Sequence, residues 1–358
     1  MIYVGNLQTL SSGYAQAALN HLCSLVVAGY EDIVLFPRNG PIPWTTMPAW
    51  VAPLRSAKGK TRNVVLVHDT PDQLASTLAR DEARFVGMTS IDCAQMPRWA
   101  AVGINKLERL IVPSAHSKAA ALASGVQIPV HHVPHPLSSH VWEDPVPDVP
   151  ADRPYTFYYI GSWNARKNPE AVLRAFCRAF PDPGEARLSF KLTAPESVVL
   201  AAQDIIREEA GKEDELEWTR EDIVVNAGYI SEADLREYHA YGDCYVSGHR
   251  GEAFGLAILE AAVTGHPVIA TAYGGPLDFL SEERGDVLVE HELVPVVGMS
   301  GLMQFGRGLR WAEPSMEALQ GAMRKAFEEK RRNVPTDELR RTYNWKGLGP
   351  VFRDALGV

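Results

Sequence analysis

The sequence contains little cysteine and no long apolar run. It has four cysteines, none of them in a Cys-x-x-Cys pair: Cys23, Cys93, Cys177 and Cys244. This scatter excludes a Cys-x-x-Cys metal or redox motif and is typical of reduced, buried thiols in a cytosolic protein. No apolar run approaches the roughly 20 residues that a membrane-spanning helix needs. The chain opens as a strand without a basic and apolar leader, so we expect no secretion signal.

Two ligand-binding motifs are also missing. The first strand is not followed by Gly-x-Gly-x-x-Gly, which excludes the dinucleotide fingerprint. No Asp-x-Asp occurs, so nothing points to a metal-bound diphosphate. His131, His132 and His135 stand close together, but no local Cys or Glu completes a tetrahedral zinc site. We therefore interpret these histidines as structural and expect neither a metal ion nor a cofactor.

Negative charge is concentrated in one part of the chain. The net charge is -9, and residues 1–145 carry about +1 while the remainder carries about −10. Such an acidic balance is unfavourable for general nucleic-acid binding. The length of 358 residues fits two domains, and the hydrophobic content of 46% is ordinary for a globular protein.

The most informative stretch runs from Gly248 to Gly275. An apolar strand, 244–246, precedes a loop with two glycines, and a helix begins near 254–256. Gly265 and Pro267 end this helix as a left-handed cap and a breaker, and a second buried strand follows. The pattern predicts strand, loop, helix and strand in succession.

The loop and the first helical turn carry groups suited to a nucleotide sugar. Amides at the start of the helix lack intrahelical partners and suit a phosphate or sugar hydroxyls. The residues concerned are Ala253, Phe254, Gly255 and Leu256. Glu252 precedes this helix start and Glu260 lies within the helix, with seven residues between them. One ligand could meet both carboxylates and the row of amides.

This arrangement resembles the Glu-x7-Glu motif of glycosyltransferase family 4, whose members are retaining enzymes with the GT-B fold. Phe-Gly-Leu inside the motif and Gly-His-Pro-Val-Ile-Ala-Thr behind it strengthen the resemblance. The resemblance implies that Glu252 contacts the hydroxyls of the donor sugar and Glu260 the nucleotide ribose. It also implies an α/β fold with two Rossmann-like doubly wound domains facing each other across a cleft. The alternative is an amphipathic helix with two solvated glutamates.

Alternating strands and helices in the N-terminal half predict a parallel sheet that is covered on both faces. Ser12 and Gly13 fall between the first strand and a helix at about 14–28. The resemblance implies that this loop packs against the donor diphosphate. A plain turn with a serine cap is an equally good interpretation.

Polar residues follow two later strands of this half. His68 and Asp69 come directly after an apolar strand, where open α/β sheets bind ligands. The resemblance places a histidine here, close to the donor sugar and the acceptor. It also places an acidic residue near Asp92, so Asp69 and Asp92 are candidate acceptor contacts. Relatives usually have Glu before Thr there, whereas this chain has Asp92 before Cys93.

Two cations follow the first strand of the C-terminal half. Gly161 ends this strand, and Arg166 and Lys167 stand before a helix that Asn168 and Pro169 are expected to begin. Two cations beside a helix start suit a diphosphate. The resemblance implies that Arg166 and Lys167 hold the donor phosphates. Two exposed loop cations are the alternative.

Two further segments have weaker signals. The resemblance places the nucleobase near Tyr229 and Ile230, before a helix that Ser231 caps. A basic cluster occurs further towards the N-terminus: Arg55, Lys58, Lys60 and Arg62. The cluster suits an anionic acceptor or an acidic membrane surface, although a solvated loop is the simpler interpretation.

Four prolines within residues 137–154 indicate a linker. We therefore predict a Rossmann-like acceptor domain at 1–136 and a nucleotide-sugar donor domain at 155–340. A helix at 341–358 is expected to cross back to the first domain, as in GT-B enzymes.

These features predict a metal-independent, retaining hexosyltransferase that is cytoplasmic, either soluble or peripherally membrane-associated. Its donor would be a UDP- or GDP-sugar and its acceptor a glycan, a lipid or another hydroxyl compound. Transfer to a DNA base or a small molecule remains open, as does a sugar-nucleotide epimerase. A protein of another class would bind sugar nucleotides without turnover.

Overall fold

The computed structural model divides into two compact units. Unit 1 comprises Met1–Ser139, Ser300–Arg310 and Arg340–Val358, and unit 2 comprises His140–Met299 and Trp311–Leu339. The structure describes the following residues: 1–5, 7, 12–37, 54, 63–77, 83–137, 149–150, 152–193, 197–215, 218–228, 231–299, 301–330 and 334–358. Within these ranges, no helix combines the length and apolarity needed to cross a bilayer.

Unit 1 is built on a six-stranded parallel sheet. Its strands are β1 (Ile2–Gly5), β2 (Val34–Pro37), β3 (Val64–His68), β4 (Arg84–Met88), β5 (Arg109–Val112) and β6 (Val130–His132). Their spatial order is β2-β1-β3-β4-β5-β6. Gly5 and Met88 both lie opposite His68 in the register, so the carboxyl ends of β1, β3 and β4 meet at one edge.

Helices connect these strands, as the alternating pattern predicted. They are α1 (Gly13–Val27), α2 (Pro71–Ala75), α3 (Arg98–Ile104) and α4 (Ala115–Ala123). The last two helices of the chain, α10 (Asp337–Thr342) and α11 (Trp345–Leu356), follow those of unit 2 in sequence. Helix α11 packs on α1 so closely that a Cβ on Gly349 would lie 2.3 Å from the Ser24 carbonyl oxygen.

Unit 2 repeats the scheme with a second parallel sheet. Its strands are β7 (Thr156–Gly161), β8 (Arg187–Leu192), β9 (Ile223–Ala227), β10 (Cys244–Ser247), β11 (Val268–Thr271) and β12 (Val287–Val289). The order β12-β11-β10-β7-β8-β9 is that of a doubly wound Rossmann sheet. Its helices are α5 (Pro169–Ala179), α6 (Ser197–Ala210), α7 (Glu232–Tyr241), α8 (Leu256–Thr264) and α9 (Met316–Glu329).

The four cysteines are buried free thiols, as their scatter predicted. The region beyond Gly275, where the sequence pattern weakens, contains a small second sheet. It pairs β13 (His291–Pro295) with β14 (Arg310–Pro314). Residues 300–310 belong to unit 1, a return of the chain that the predicted division into domains did not include.

Each parallel sheet has a topological switch point, where the strand order reverses. In unit 2 this point lies between β7 and β10, and in unit 1 it lies between β1 and β3. Ligands of open α/β sheets bind outside the carboxyl ends of the strands at such points. The loops that carry most of the predicted site residues follow these four strands.

Candidate functional site

The loops after β7 and β10 bring three predicted residues into direct contact. Lys167 Nζ, on the loop after β7, donates a hydrogen bond to Glu252 Oε2, on the loop after β10. Arg166 Nη1 lies 3.6 Å from the same carboxylate oxygen. Lys167 and Glu252 are 85 positions apart in sequence, and the pairing of β7 with β10 joins their loops. The result is one carboxylate between two cations at the switch point of unit 2.

Glu252 is buried, with 7% of its surface exposed. Burial disfavours the charged carboxylate, but the charges of Lys167 and Arg166 outweigh it and lower the pKa of Glu252 to about 2. Glu252 is therefore ionised at any physiological pH. The pair of cations is needed to keep this buried group charged.

Helix α8 begins with an open amino terminus beside Glu252. Its N-cap residue is Gly255, with φ at 92°, and no side chain caps it. Gly265 ends the helix in the left-handed conformation, as predicted. Glu260 lies in this helix, and its Oε2 is 3.7 Å from His239 Nε2 of α7. Ala253 and Phe254 therefore precede the helix, Leu256 is its first residue, and Glu260 lies about one turn further on.

Two glycines form the support beneath this loop. The amide of Gly275 donates to the carbonyl of Glu252 at 2.7 Å. A Cβ on Gly275 would lie 2.1 Å from the carbonyl oxygen of Ala253, and one on Gly274 would lie 2.4 Å from that of Glu252. No side chain larger than hydrogen fits between these backbone segments. The close approach of Gly274 and Gly275 therefore fixes the position of the backbone at Glu252.

His249 fixes the strand end that precedes Glu252. Its Nε2 lies 2.9 Å from the carbonyl oxygen of Tyr273, so Nε2 must carry the proton, and Nδ1 accepts from the Ser247 hydroxyl at 3.0 Å. Burial lowers the pKa of His249 to about 4. The ring is therefore neutral at pH 7 and acts as a rigid link between β10 and the segment after β11.

Asn168 is the N-cap residue of helix α5, as expected, but its side chain does not cap the helix. Asn168 has a left-handed backbone, with φ at 51°, and its side chain makes no cap hydrogen bond. The side-chain amide instead donates to the carbonyl of Gly248 at 2.9 Å. Pro169 does begin the helix, as expected. The hydrogen bond to the loop after β10 therefore uses the side chain that local propensity would place in a helix cap.

Gly161 closes β7 under the hydroxyl of Tyr159, where an added Cβ would lie 2.5 Å from that oxygen. The position thus requires glycine for packing alone. Its predicted contact with the donor remains a prediction.

The remaining predicted residues lie in unit 1, around the start of α1. Ser12 caps this helix, because its hydroxyl accepts from the amide of Ala15 at 3.1 Å, and Gly13 is the first helical residue. Tyr14 follows, and its ring centroid is 5.6 Å from that of His68. Burial raises the pKa of Tyr14, and the negative charge of Asp92 raises it further. Tyr14 thus follows Ser12 and Gly13 in the chain, and its ring contacts His68.

His68 is 2% exposed, and burial lowers its pKa to about 4. Its Nδ1 is 2.7 Å from the hydroxyl of Tyr3. Within the described part of the chain, its Nε2 is buried without a hydrogen-bond partner. The imidazole is thus neutral at pH 7, and the Tyr3 hydroxyl holds one of its nitrogens. Neighbouring Asp69 accepts from the amide of Thr70 at 2.8 Å, so its carboxylate shapes the turn after β3.

The sequence pointed to His135, which was interpreted as structural, but not to His21, a second buried histidine beside His68. His21 Nε2 is 3.0 Å from His135 Nδ1, and the His21 and His68 ring centroids are 6.3 Å apart. His21 follows Tyr14 by seven positions in α1, and this spacing puts both on one helix face. The helical spacing was therefore the signal that could have revealed this cluster.

Several predicted residues lie outside the described ranges. They are Tyr229 and Ile230 of the nucleobase turn and the basic cluster Arg55, Lys58, Lys60 and Arg62. In the ranges that are described, no three His, Cys, Asp or Glu side chains are grouped so that they could hold a metal ion. Metal independence remains a prediction.

The fold is that of GT-B proteins, as predicted, with a Rossmann-like sheet in each unit. The apo form of the lipopolysaccharide outer core galactosyltransferase WaaB superposes with a TM-score of 0.66 at 14% identity, covering 99% of this chain and 98% of that one. Anabaena HepE, in complex with UDP, superposes with a TM-score of 0.65 at 13% identity, covering 99% of both chains.

Sequence comparison concerns mainly unit 2. Residues 154–295 match the family model described as Glycosyl transferases group 1. Mannosylfructose-phosphate synthase from Agrobacterium fabrum is 34% identical over 64 residues, which are 18% of this chain and 14% of that relative. The family match contains Arg166, Lys167, Glu252 and Glu260.

Proposed function

We propose that this protein is a glycosyltransferase that moves a hexose from a nucleoside-diphosphate sugar to an acceptor hydroxyl, with retention of configuration. The observation that carries the proposal is the contact of Arg166 and Lys167 with buried Glu252 at the switch point of unit 2. The family match over residues 154–295 and the GT-B neighbours support the same class.

The donor diphosphate is assigned to the two cations and the start of α8. Guanidinium and ammonium groups bind phosphate oxygens through charge-assisted hydrogen bonds. The uncapped amino terminus of α8 adds backbone donors and a partial positive charge. As the bond from sugar to phosphate breaks, negative charge grows on the leaving diphosphate, and these fixed donors stabilise it.

The two carboxylates are assigned to the ends of the donor. Glu252 accepts hydrogen bonds from hydroxyls of the sugar, next to the phosphate-binding cations. Glu260, further along α8, accepts from the ribose hydroxyls. Both assignments need an ionised carboxylate, and the low pKa of Glu252, about 2 in spite of burial, keeps it ionised.

Retention is assigned to attack by the acceptor on the face of the sugar that the diphosphate leaves. A phosphate oxygen of the leaving group takes the proton of the acceptor hydroxyl, so no carboxylate needs to act as nucleophile. His68, Asp69 and Asp92 of unit 1 are the proposed contacts of the sugar and the acceptor. His68 is neutral at pH 7, because burial lowers its pKa to about 4.

Thermal stabilisation by nucleotides is the first test. UDP, GDP, ADP and dTDP and their sugars are compared on the wild type and on Glu260→Ala. HepE was crystallised with UDP, so uridine nucleotides come first. A ligand at a hundred times its Kd should add about 2.7 kcal/mol to the free energy of unfolding. A selective gain that Glu260→Ala abolishes is expected, and no gain with any nucleotide would contradict the proposal.

Sugar transfer by variants of the two loops is the second test. Glu252→Ala and Arg166→Ala should each lower kcat/KM by at least about a hundredfold, because both groups act in the transition state. Glu221 and Arg187 are exposed residues near the amino ends of β9 and β8, at the opposite edge of the same sheet. Their alanine variants are the matched controls. Near-normal transfer by both loop variants would contradict the assignment. Epimerisation of the donor without an acceptor would instead indicate an epimerase.

A further inference from the structure

Arg250 holds the backbone of the loop that carries the two cations. Its Nη1 donates to the carbonyl of Ala165 at 2.8 Å, and its own amide donates to the carbonyl of Arg166 at 2.8 Å. The two residues that precede Lys167 are thus both fixed from the loop after β10. Arg250 comes two positions before Glu252, so one short segment carries both the carboxylate and this brace.

Two hydrogen bonds run in the opposite direction. Arg166 Nη1 donates to the carbonyl of Gly251 at 2.8 Å, and the side-chain amide of Asn168 donates to the carbonyl of Gly248 at 2.9 Å. Four hydrogen bonds therefore cross between the segments 165–168 and 248–251. The positions of Arg166, Lys167 and Glu252 depend on these crossings, because each of the three side chains projects from a braced segment.

The guanidinium of Arg250 is itself held from outside the two loops. Glu313 on β14 accepts from Arg250 Nε with one carboxylate oxygen and from Nη2, at 2.9 Å, with the other. The ring of Trp311 lies under the guanidinium at 5.9 Å, and the amide of Ala312 donates to the Arg250 carbonyl at 2.8 Å. A planar guanidinium can donate to Glu313 and to Ala165 at the same time, whereas a lysine ammonium cannot reproduce this geometry.

We propose that Arg250, held by Glu313, is a positioning residue that sets the geometry of Arg166, Lys167 and Glu252. It acts through the backbone and does not itself contact the donor. The consequence for sugar transfer rests on the proposed function, whereas the positioning itself can be measured without any substrate.

The test compares Arg250→Lys and Glu313→Gln with Arg324→Lys. Arg324 on α9 is a matched control, because it pairs with Glu185 at 2.7 Å and lies 5.2 Å from the ring of Phe180. Amide hydrogen exchange is measured for the peptide that contains residues 161–168. Carbon-13 NMR of labelled glutamate carboxyls reports the pKa of Glu252, and donor kinetics report kcat and KM.

In both test variants, the amide hydrogens of this peptide should exchange at least tenfold faster than in the wild type. The variants should also raise the pKa of Glu252 by about one unit, because Lys167 and Arg166 are no longer fixed against it. They should lower kcat/KM at least tenfold, while Arg324→Lys changes none of the three. Unchanged exchange and an unchanged pKa of Glu252 in both variants would overturn the proposal, whatever their global stability.

The two proposals fail separately. If the wild type binds no nucleotide and transfers no sugar, yet both variants loosen the peptide and raise the pKa of Glu252, the positioning stands and the function is wrong. If the wild type transfers sugar, and Arg250→Lys and Glu313→Gln transfer it equally well with unchanged exchange and an unchanged pKa of Glu252, the function stands and the positioning is wrong.

Discussion

Glu252 is the internal counter-ion of Arg166 and Lys167. Its carboxylate contacts both cations that are proposed to bind the donor diphosphate. An incoming phosphate must therefore compete with Glu252 for them. This competition favours a complete donor over a bare nucleoside diphosphate. The sugar hydroxyls of a complete donor give Glu252 new hydrogen-bond partners, and a bare nucleoside diphosphate lacks this sugar.

The substitution Glu252→Gln should separate these two ligands. Removing the carboxylate charge frees both cations, so the affinity for the bare nucleoside diphosphate should rise about tenfold, or roughly 1.4 kcal/mol. Sugar transfer should fall by at least about a hundredfold, because the hydrogen bonds to the sugar weaken in the transition state. Calorimetric titration and steady-state kinetics measure the two effects.

Glu221→Gln removes an exposed carboxylate from the same unit and is the control for net charge. It should leave both quantities unchanged. A drop in nucleoside-diphosphate affinity in Glu252→Gln would refute the counter-ion role.

Among the structural elements, the turn at Gly274–Gly275 matters most for the site. It passes so close beneath the loop after β10 that a Cβ on Gly275 would meet backbone atoms of Ala253 and Phe254. Backbone atoms cannot rotate away as a side chain can. Any side chain at this position must therefore displace the loop that carries Glu252.

Gly275→Ala should lower the free energy of unfolding by about 2–3 kcal/mol and reduce sugar transfer at least about tenfold, through displacement of Glu252. Gly321→Ala is the matched control, because Gly321 lies in α9 with no atom within 4 Å of an added Cβ. Gly321→Ala should raise the free energy of unfolding by about 0.5–1 kcal/mol, because it reduces the freedom of the unfolded chain, and it should leave sugar transfer unchanged. Urea unfolding and transfer rates distinguish the two. Equal effects of both substitutions on transfer would show that the turn has no special role.

At the scale of the whole molecule, buried neutral histidines couple stability to pH. Burial lowers the pKa of His68 and of His249 from the ordinary value of 6.5 to about 4. Below pH 6.5 the unfolded chain binds protons that the folded protein does not. The stability that these histidines contribute is therefore complete above pH 6.5 and is lost as the pH falls towards 4.

Each histidine should lower the free energy of unfolding by up to about 1.4 kcal/mol per pH unit within that window. Glu252 adds to the slope only at the acid end of that window: the charges of Lys167 and Arg166 overcome burial and lower its pKa from 4.5 to about 2, so its contribution is lost as the pH falls below 4.5. Urea unfolding of the wild type and His249→Gln at pH 7, 6 and 5 tests this. The variant should have the shallower slope, and equal slopes would contradict the buried neutral state of His249.

Much of the fold and the site could be predicted because the signals are local. Alternating apolar strands and amphipathic helices set the two parallel sheets, and Gly265 set the end of α8. Arg166, Lys167 and Glu252 could be singled out because charged residues in glycine-containing loops at strand ends have no packing role. Arg250 could not, since an arginine in such a loop gives no sign that its partner is Glu313, which lies 63 positions away.

By itself, the sequence determined the kind of protein: two doubly wound units, with a motif whose charges suit a nucleotide sugar. Periodicity and glycine positions can be read from the order of residues along the chain, so no long-range contact is needed to infer them. Tertiary contacts alone set the pairing of Lys167 and Arg166 with Glu252, the hydrogen bond from the Asn168 side chain to Gly248, and the grouping of three histidines in the interior of unit 1. These outcomes depend on the pairing of distant strands and helices, which brings together side chains that no local pattern connects.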